Sequence, residues 1–418
     1  MRSIAHGMTD VGQVRKVNQD ALLVDTAAGV YVVCDGVGGH KGGEVASAMA
    51  IDYLAEFARR HGPFQALAER IGEEKAVNRT LSMIERTLND ASEAVFSRGK
   101  ADDDLHGMST TVVGMAIIGT RAAVFHSGDS RLYLLRGETL YQLTEDHSLA
   151  HAMWRRGILK EEDIKTFRHR NVIIRCLGRE PAIELDTSVV ELLPGDVFLG
   201  CSDGLSDMVD AEVIANMLLD CRPDHACSEL VRLANEAGGK DNITALVVRI
   251  EGEIPETSRR MPTERRALSL NQFTLFCDLT FQESVRVLRV VKELHPEAGE
   301  YIVREGEVGK SIYLIVDGRI GVSRDGVALT HLVAGQHFGE LSWIRDEVRT
   351  ASTRALEHST LLSVERDDLM KLMSSDPVLA TKILWRLLQA MGGRVKDLTD
   401  ALAGLSTPSI EGSGRPTD

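Results

Sequence analysis

Four aspartates far apart in the chain, Asp20, Asp35, Asp203 and Asp241, each stand where an apolar run stops at a tight turn. Asp35 follows Tyr31-Val32-Val33-Cys34 and precedes Gly36. Asp203 follows Val197-Phe198-Leu199-Gly200-Cys201-Ser202 and precedes Gly204. Asp241 follows Gly238-Gly239-Lys240, and the strand-like run Ile243–Val248 comes just after it. A carboxylate at the end of a buried strand is held rigidly, and several converging there repel one another. Oxygen ligands of that kind suit a hard divalent cation, Mg2+ or Mn2+, whose charge offsets the repulsion. A single Asp-Gly is only a turn signal. Four aspartates in these contexts point to a metal site.

Further groups lie between them. Arg15 places a fixed cation five residues before Asp20, and the glycines after Asp35 let backbone carbonyls approach an ion. Gly128-Asp129-Ser130-Arg131 and Ser202-Asp203-Gly204-Leu205-Ser206-Asp207 add two more carboxylates. In these motifs, taken in order over about 1–252, the chain resembles the metal-dependent Ser/Thr protein phosphatases of the PPM family, in the bacterial style. The resemblance implies an α+β fold, a four-layer α-β-β-α sandwich of antiparallel sheets with a two-metal centre between them. By matching position, Asp35 bridges both metals and the Gly36 carbonyl binds one. Asp203 and Asp241 bind the other, and Asp20 acts through a water. Asp129 and Asp207 match the positions that hold a third, weaker metal, and Arg15 matches the arginine that grips the substrate phosphate.

The chemistry agrees with that resemblance. Phosphate monoesters are among the slowest biological bonds to hydrolyse. Two cations roughly 3.5–4 Å apart can activate a water and neutralise developing phosphoryl charge. A planar guanidinium can hold two phosphate oxygens and orient the ester for in-line attack. Two positions depart from the family pattern. Val37 stands where some members carry a His as general acid, and His40 nearby reads as structural. Gln19 stands where many relatives have Glu, which removes one charge from the outer shell. The segment 147–178, with Arg155, Arg156, Arg168 and Arg170, matches the family's mobile flap; an ordinary solvated insertion is the equal alternative.

A second chemistry lies nearer the C-terminus. Phe338-Gly339-Glu340-Leu341-Ser342 and Arg349-Thr350-Ala351-Ser352 place an acid and a guanidinium nine residues apart. An arginine with a helix N-terminus makes an anion site, and a carboxylate beside it accepts hydroxyl hydrogen bonds. This part is similar to a cyclic-nucleotide-binding domain, a small β-roll with flanking helices. The resemblance implies that Glu340 takes the ribose hydroxyl and Arg349 the cyclic phosphate. Backbone N–H groups near Gly339, Leu341 and Ser342 would assist. Thr350 stands where cAMP-preferring relatives usually have Ala, so both cAMP and cGMP are candidate ligands. Gly309-Lys310-Ser311 is not a nucleoside-triphosphate loop, because the required earlier glycine is replaced by Arg304.

The elements that must position these groups are short. Strands are expected at Gly29–Cys34, Ser109–Ile118, Ala122–Ser127, Arg131–Arg136, Val197–Cys201 and Ile243–Ile250, with hairpins at Ser127–Ser130 and Arg136–Glu138. Helices are expected at Gly43–Arg60, Ala76–Arg98, Ala211–Asp220 and around Ala226–Ala237. Four segments follow: a phosphatase domain at 1–252, a Pro- and Arg-containing linker at 253–270, a nucleotide-binding domain at 271–402 and a disordered tail at 403–418. The last helix, apolar at Ile383, Leu384, Leu387, Leu388 and Met391, is read as packing on its own domain, with pairing of two copies as the alternative.

At 418 residues with 43% hydrophobic content the chain can build two or three cores. Its 48 basic against 62 acidic residues, net charge −14, argue against binding to nucleic acid or anionic lipid. No apolar stretch approaches the roughly 18 residues of a membrane span. Six cysteines without Cys-x-x-Cys spacing read as reduced thiols in a cytoplasmic protein, and none has the Arg six positions on that a tyrosine-phosphatase loop needs. The expected function is hydrolysis of phosphoserine and phosphothreonine in proteins supplied by an opposing kinase, under cyclic-nucleotide control. The alternative is a ligand-responsive module that captures phosphoproteins with little turnover, its C-terminal domain a dimerisation scaffold.

Overall fold

The computed structural model describes residues 2–37, 42–220, 222–252, 270, 273–288, 290–340 and 348–405. The linker expected at 253–270 lies outside them except for residue 270, as do His40, Leu341 and Ser342. The chain divides into two compact units, Met1–Arg266 with Thr280–Gln282, and Ala267–Leu279 with Glu283–Asp418.

The first unit is built on two antiparallel sheets. One takes β2 (Asp20–Asp25), β3 (Val30–Val37), β5 (Val112–Ile118), β6 (Arg121–Ser127) and β9 (Asp186–Glu191), with the short β4 (Ser109–Thr110) on β3. The other takes β1 (Arg2–Asp10), β11 (Ile243–Glu251), β10 (Val197–Cys201), β7 (Arg131–Arg136) and β8 (Thr139–Gln142). Residues two apart on a strand share a face. Val30, Val32 and Cys34 of β3 therefore join the core under α1 (Gly43–His61), α2 (Phe64–Ile71) and α3 (Glu73–Ala101). Tyr31 and Val33 turn instead towards Leu132, Phe198, Leu246 and Val248 of the opposite sheet. The outer face of that second sheet carries Leu199, Cys201, Ala245 and Val247 against α6 (Ala211–Asp220) and α7 (Pro223–Glu236). Four layers result: helix, sheet, sheet, helix.

Two local expectations need correction. The expected strand Ser109–Ile118 is interrupted at Thr111, whose N–H donates to the Asp35 carbonyl (2.8 Å) while its hydroxyl accepts the Asp35 N–H (2.9 Å). Ser127–Ser130 is not a hairpin: β6 belongs to one sheet and β7 to the other, so this turn crosses between them. The Arg136–Glu138 turn does join a hairpin, with Arg136 opposite Thr139.

The second unit is a roll of two four-stranded sheets, ordered β12-β19-β14-β17 and β13-β18-β15-β16. The strands are β12 (Val291–Leu294), β13 (Tyr301–Val303), β14 (Ser311–Asp317), β15 (Arg319–Arg324), β16 (Val327–Val333), β17 (His337–Phe338), β18 (Ser352–Ala355) and β19 (Thr360–Glu365). Its core holds Val303, Ile315, Ile320, Phe338, Ala355 and Leu361. After α9 (Arg366–Ser375), α10 (Pro377–Leu405) runs into the segment expected as tail, whose remainder at 406–418 lies outside the described residues. On α10, Leu379, Ile383 and Leu387 are buried while Leu384, Trp385 and Leu388 are exposed, so only one face packs on its own domain. Among the described residues, no helix is long and apolar enough to cross a membrane.

Candidate functional site

Asp35 ends the inter-sheet face of β3, and strand register places Asp20 of β2 directly opposite it. Asp203 comes two residues after β10 and opens the short α5 (Asp203–Ser206), while Asp241 stands two residues before β11. Both sheets thus deliver carboxylates to one end of the sandwich. Asp20 ties the sheets together, its Oδ2 accepting the Ser202 hydroxyl (2.7 Å) and the Thr244 hydroxyl (2.7 Å). Its Oδ1 is buried with no hydrogen-bond partner. Asn242 closes the loops, accepting the Gln19 N–H (2.9 Å) and donating to the carbonyls of Val11 and Val17 (3.0 Å each). Gly36 has to be glycine, since a Cβ there would lie 2.2 Å from the Gly43 carbonyl oxygen.

The electrostatics follow from that crowding. Burial pushes Asp35 well above the usual carboxylate range, and the charges of Asp20, Asp203, Asp129 and Asp241 push it further. Burial, then Asp241 and Asp207, raise Asp203 to about 7. Asp20 rises to about 6, chiefly by desolvation, despite its two hydroxyl donors. Asp129 is likewise held well above its ordinary value by burial and by Asp203. A set of desolvated carboxylates that repel one another, with one oxygen unpartnered, fits divalent cations. Arg15, half exposed, donates to Asp241 Oδ2 (2.7 Å), and Asp207 is ion-paired with Arg170 of the 147–178 segment (3.2 Å). The Gln19 amide donates to Glu44 Oε2 (2.9 Å), so the residue without a charge stands beside one that has it.

The second unit holds a cavity of about 510 Å3, lined by Thr274, Gln336, Gly339, Glu340, Arg349 and Thr350 among others. Glu340 and Arg349 are buried in its wall. The Arg349 guanidinium donates to the carbonyls of Gly339 (3.1 Å) and Ser311 (3.0 Å) and lies over the Tyr313 ring at 5.7 Å. Desolvation lowers its pKa from the ordinary arginine value. A buried cation beside a carboxylate, in a space of this size, suits a small ligand bearing an anion and hydroxyls.

The family description "Protein phosphatase 2C" matches residues 12–242, more than half of the chain. The chain belongs to the protein phosphatase 2C family. It is a metal-dependent protein phosphatase, and "Cyclic nucleotide-binding domain" matches its residues 293–376. The "Serine/threonine phosphatase stp" of Listeria innocua is 34% identical over 244 residues, 57% of this chain and 93% of that protein. The solved Mycobacterium tuberculosis phosphatase PstP/Ppp is 30% identical, covers 60% of this chain and 100% of its own, and has a TM-score of 0.53. A PstP catalytic domain solved with 2 manganese ions is 29% identical, covers 60% of this chain and 99% of its own, with a TM-score of 0.51. Within the phosphatase, sequence reasoning missed Ser202 and Thr244, which bond Asp20, and Thr111, which bonds the Asp35 backbone. Their only signal was polarity in otherwise apolar strands, as in Ser109-Thr110-Thr111 before Val112.

Proposed function

We propose that the chain hydrolyses phosphoserine and phosphothreonine in proteins phosphorylated by a kinase, and that cyclic nucleotide in the C-terminal cavity regulates the reaction. One observation carries the first half: Asp20, Asp35 and Asp203, desolvated, converge with Asp241 from both sheets while Asp20 keeps a buried oxygen unpartnered. Divalent cations, when bound, supply an activated water and neutralise phosphoryl charge. In this reading Asp35, Asp203, Asp241 and the Gly36 carbonyl hold those cations, with Asp20 ordering a water. Asp129 and Asp207 form a weaker third position. Arg15 spends one guanidinium nitrogen on Asp241 and keeps donors to grip two phosphate oxygens. The Listeria relative's name supports the same substrate class.

Phosphate release from a phosphothreonine peptide in Mn2+ tests this. Asp203→Ala is expected to lose more than about 100-fold, since even outer-shell changes at metal sites cost about 10–100-fold. Equal turnover in variant and wild type would dispose of the enzyme reading.

The regulatory half rests on Glu340 and Arg349 in the wall of the 510 Å3 cavity. Calorimetry with cAMP and cGMP is expected to give binding heat that vanishes in Arg349→Ala. Heat that survives the substitution argues for a ligand elsewhere.

A further inference from the structure

The turn that carries Asp129 is clamped by a histidine. Gly128 donates its N–H to His147 Nδ1 (3.2 Å), and His147 returns its own backbone N–H to the Gly128 carbonyl (2.9 Å). On the other side the turn has no slack: Gly128 has φ +122°, and a Cβ there would lie 2.6 Å from the Thr111 Cβ. The next residue after Gly128 is Asp129, so the direction of that carboxylate is set by where His147 holds the peptide.

His147 is itself held. Its Nε2 lies 3.2 Å from Asp186 Oδ2, and Asp186 Oδ1 accepts from Arg175 (3.2 Å). His126, buried, stacks on the ring with centroids 4.6 Å apart. Ligand-type atoms of His126, His147 and Asp186 lie within 4.8 Å of one another, which suggests a second cation cage. The hydrogen bonds argue otherwise. A neutral imidazole that accepts at Nδ1 carries its proton on Nε2, so the lone pair a metal needs is absent and Nε2–H donates to Asp186. The pair Asp186–Arg175 therefore fixes the tautomer that keeps Nδ1 open for Gly128. His147 also opens the 147–178 segment, its carbonyl accepting the Ile174 N–H (2.8 Å), and that segment carries Arg170, the partner of Asp207.

We propose that His147 is a positioning residue for the weaker cation position: through its Nδ1 bond to Gly128 it aligns Asp129, and so sets how tightly that position binds. The inference rests on reading Asp129 as a cation ligand. Partners that orient metal ligands typically change affinity about 10–100-fold when replaced.

Asn and Gln separate the two bonds of the ring, because Asn keeps an acceptor near Nδ1 whereas Gln reaches only to the Nε2 side. Mn2+ binding to the metal-free full chain, followed by loss of the free-ion EPR signal, is compared for wild type, H147N, H147Q and D129A. D129A is expected to remove the weakest class of bound Mn2+. H147Q should weaken that class by about 10–100-fold with the tighter ions undisturbed, and H147N should stay close to wild type. Equal binding in H147N and H147Q, or equal weakening of every class, overturns the proposal. A D129A isotherm identical to wild type sinks the assignment of Asp129 itself, and the role of His147 with it. Should H147Q fail to fold, Asp186→Asn, which weakens the hold on Nε2–H, takes its place: a loosened weak class supports the proposal and an unchanged one overturns it.

Discussion

Asp20 divides its two oxygens between two tasks. Oδ2 takes hydroxyl donors from Ser202 and Thr244, while Oδ1 is left buried without a partner. Both donors favour the charged form, so they offset part of the desolvation that raises Asp20 to about 6. Thr244→Val keeps the shape and removes one donor. With Asp20 ionised at pH 8, this variant is expected to lose about 1.5–3 kcal/mol, the range for hydrogen bonds to charged groups. Urea unfolding of the metal-free protein measures it, and stability equal to wild type would show that Thr244 does not support the carboxylate. The acids themselves were legible because each stands at one end of an apolar run. Ser202 and Thr244 were not, since a buried hydroxyl in a strand has many ordinary uses.

Gathering acids from the ends of separate strands leaves the metal-free sandwich with a charge problem that depends on pH. Asp203 at about 7 and Asp20 at about 6 lie above their unfolded values near 3.8. A raised acid pKa contributes stability that is present at low pH and is lost as pH rises through the folded value. The metal-free protein therefore carries the repulsion of ionised Asp20 and Asp203 above pH 7, and cations held by these acids, as proposed, would relieve it. The rise in melting temperature on adding Mn2+ is expected to grow between pH 5 and pH 7.5. A shift that is flat or shrinks over that window would show that these acids do not face the cations. Strand and helix positions were largely readable from periodicity, including Arg131–Arg136 and Val197–Cys201 to the residue. Which sheet each strand joined was not: Gly128-Asp129 looks like a hairpin turn, yet it bridges the two sheets.

At the scale of the whole molecule, a catalytic unit and a ligand-binding unit share one chain. Coupling between such sites is typically about 1–3 kcal/mol, so cAMP or cGMP is expected to change turnover about 5–150-fold rather than switch it completely. Phosphate release by wild type and Arg349→Ala, each with and without nucleotide, measures the coupling; an effect that persists in the variant would sink the assignment of the cavity as the regulatory site. The sequence alone determined the family, the order of the acidic motifs and the presence of two units, because chemistry needs particular side chains and strand ends need turns. It did not determine that Asp20 and Asp35 face each other, that Arg349 is buried against Gly339 and Ser311, or that His147 grips the Asp129 turn. Those depend on which strands pair across long separations, and a one-residue change of register would turn every side chain to the opposite face.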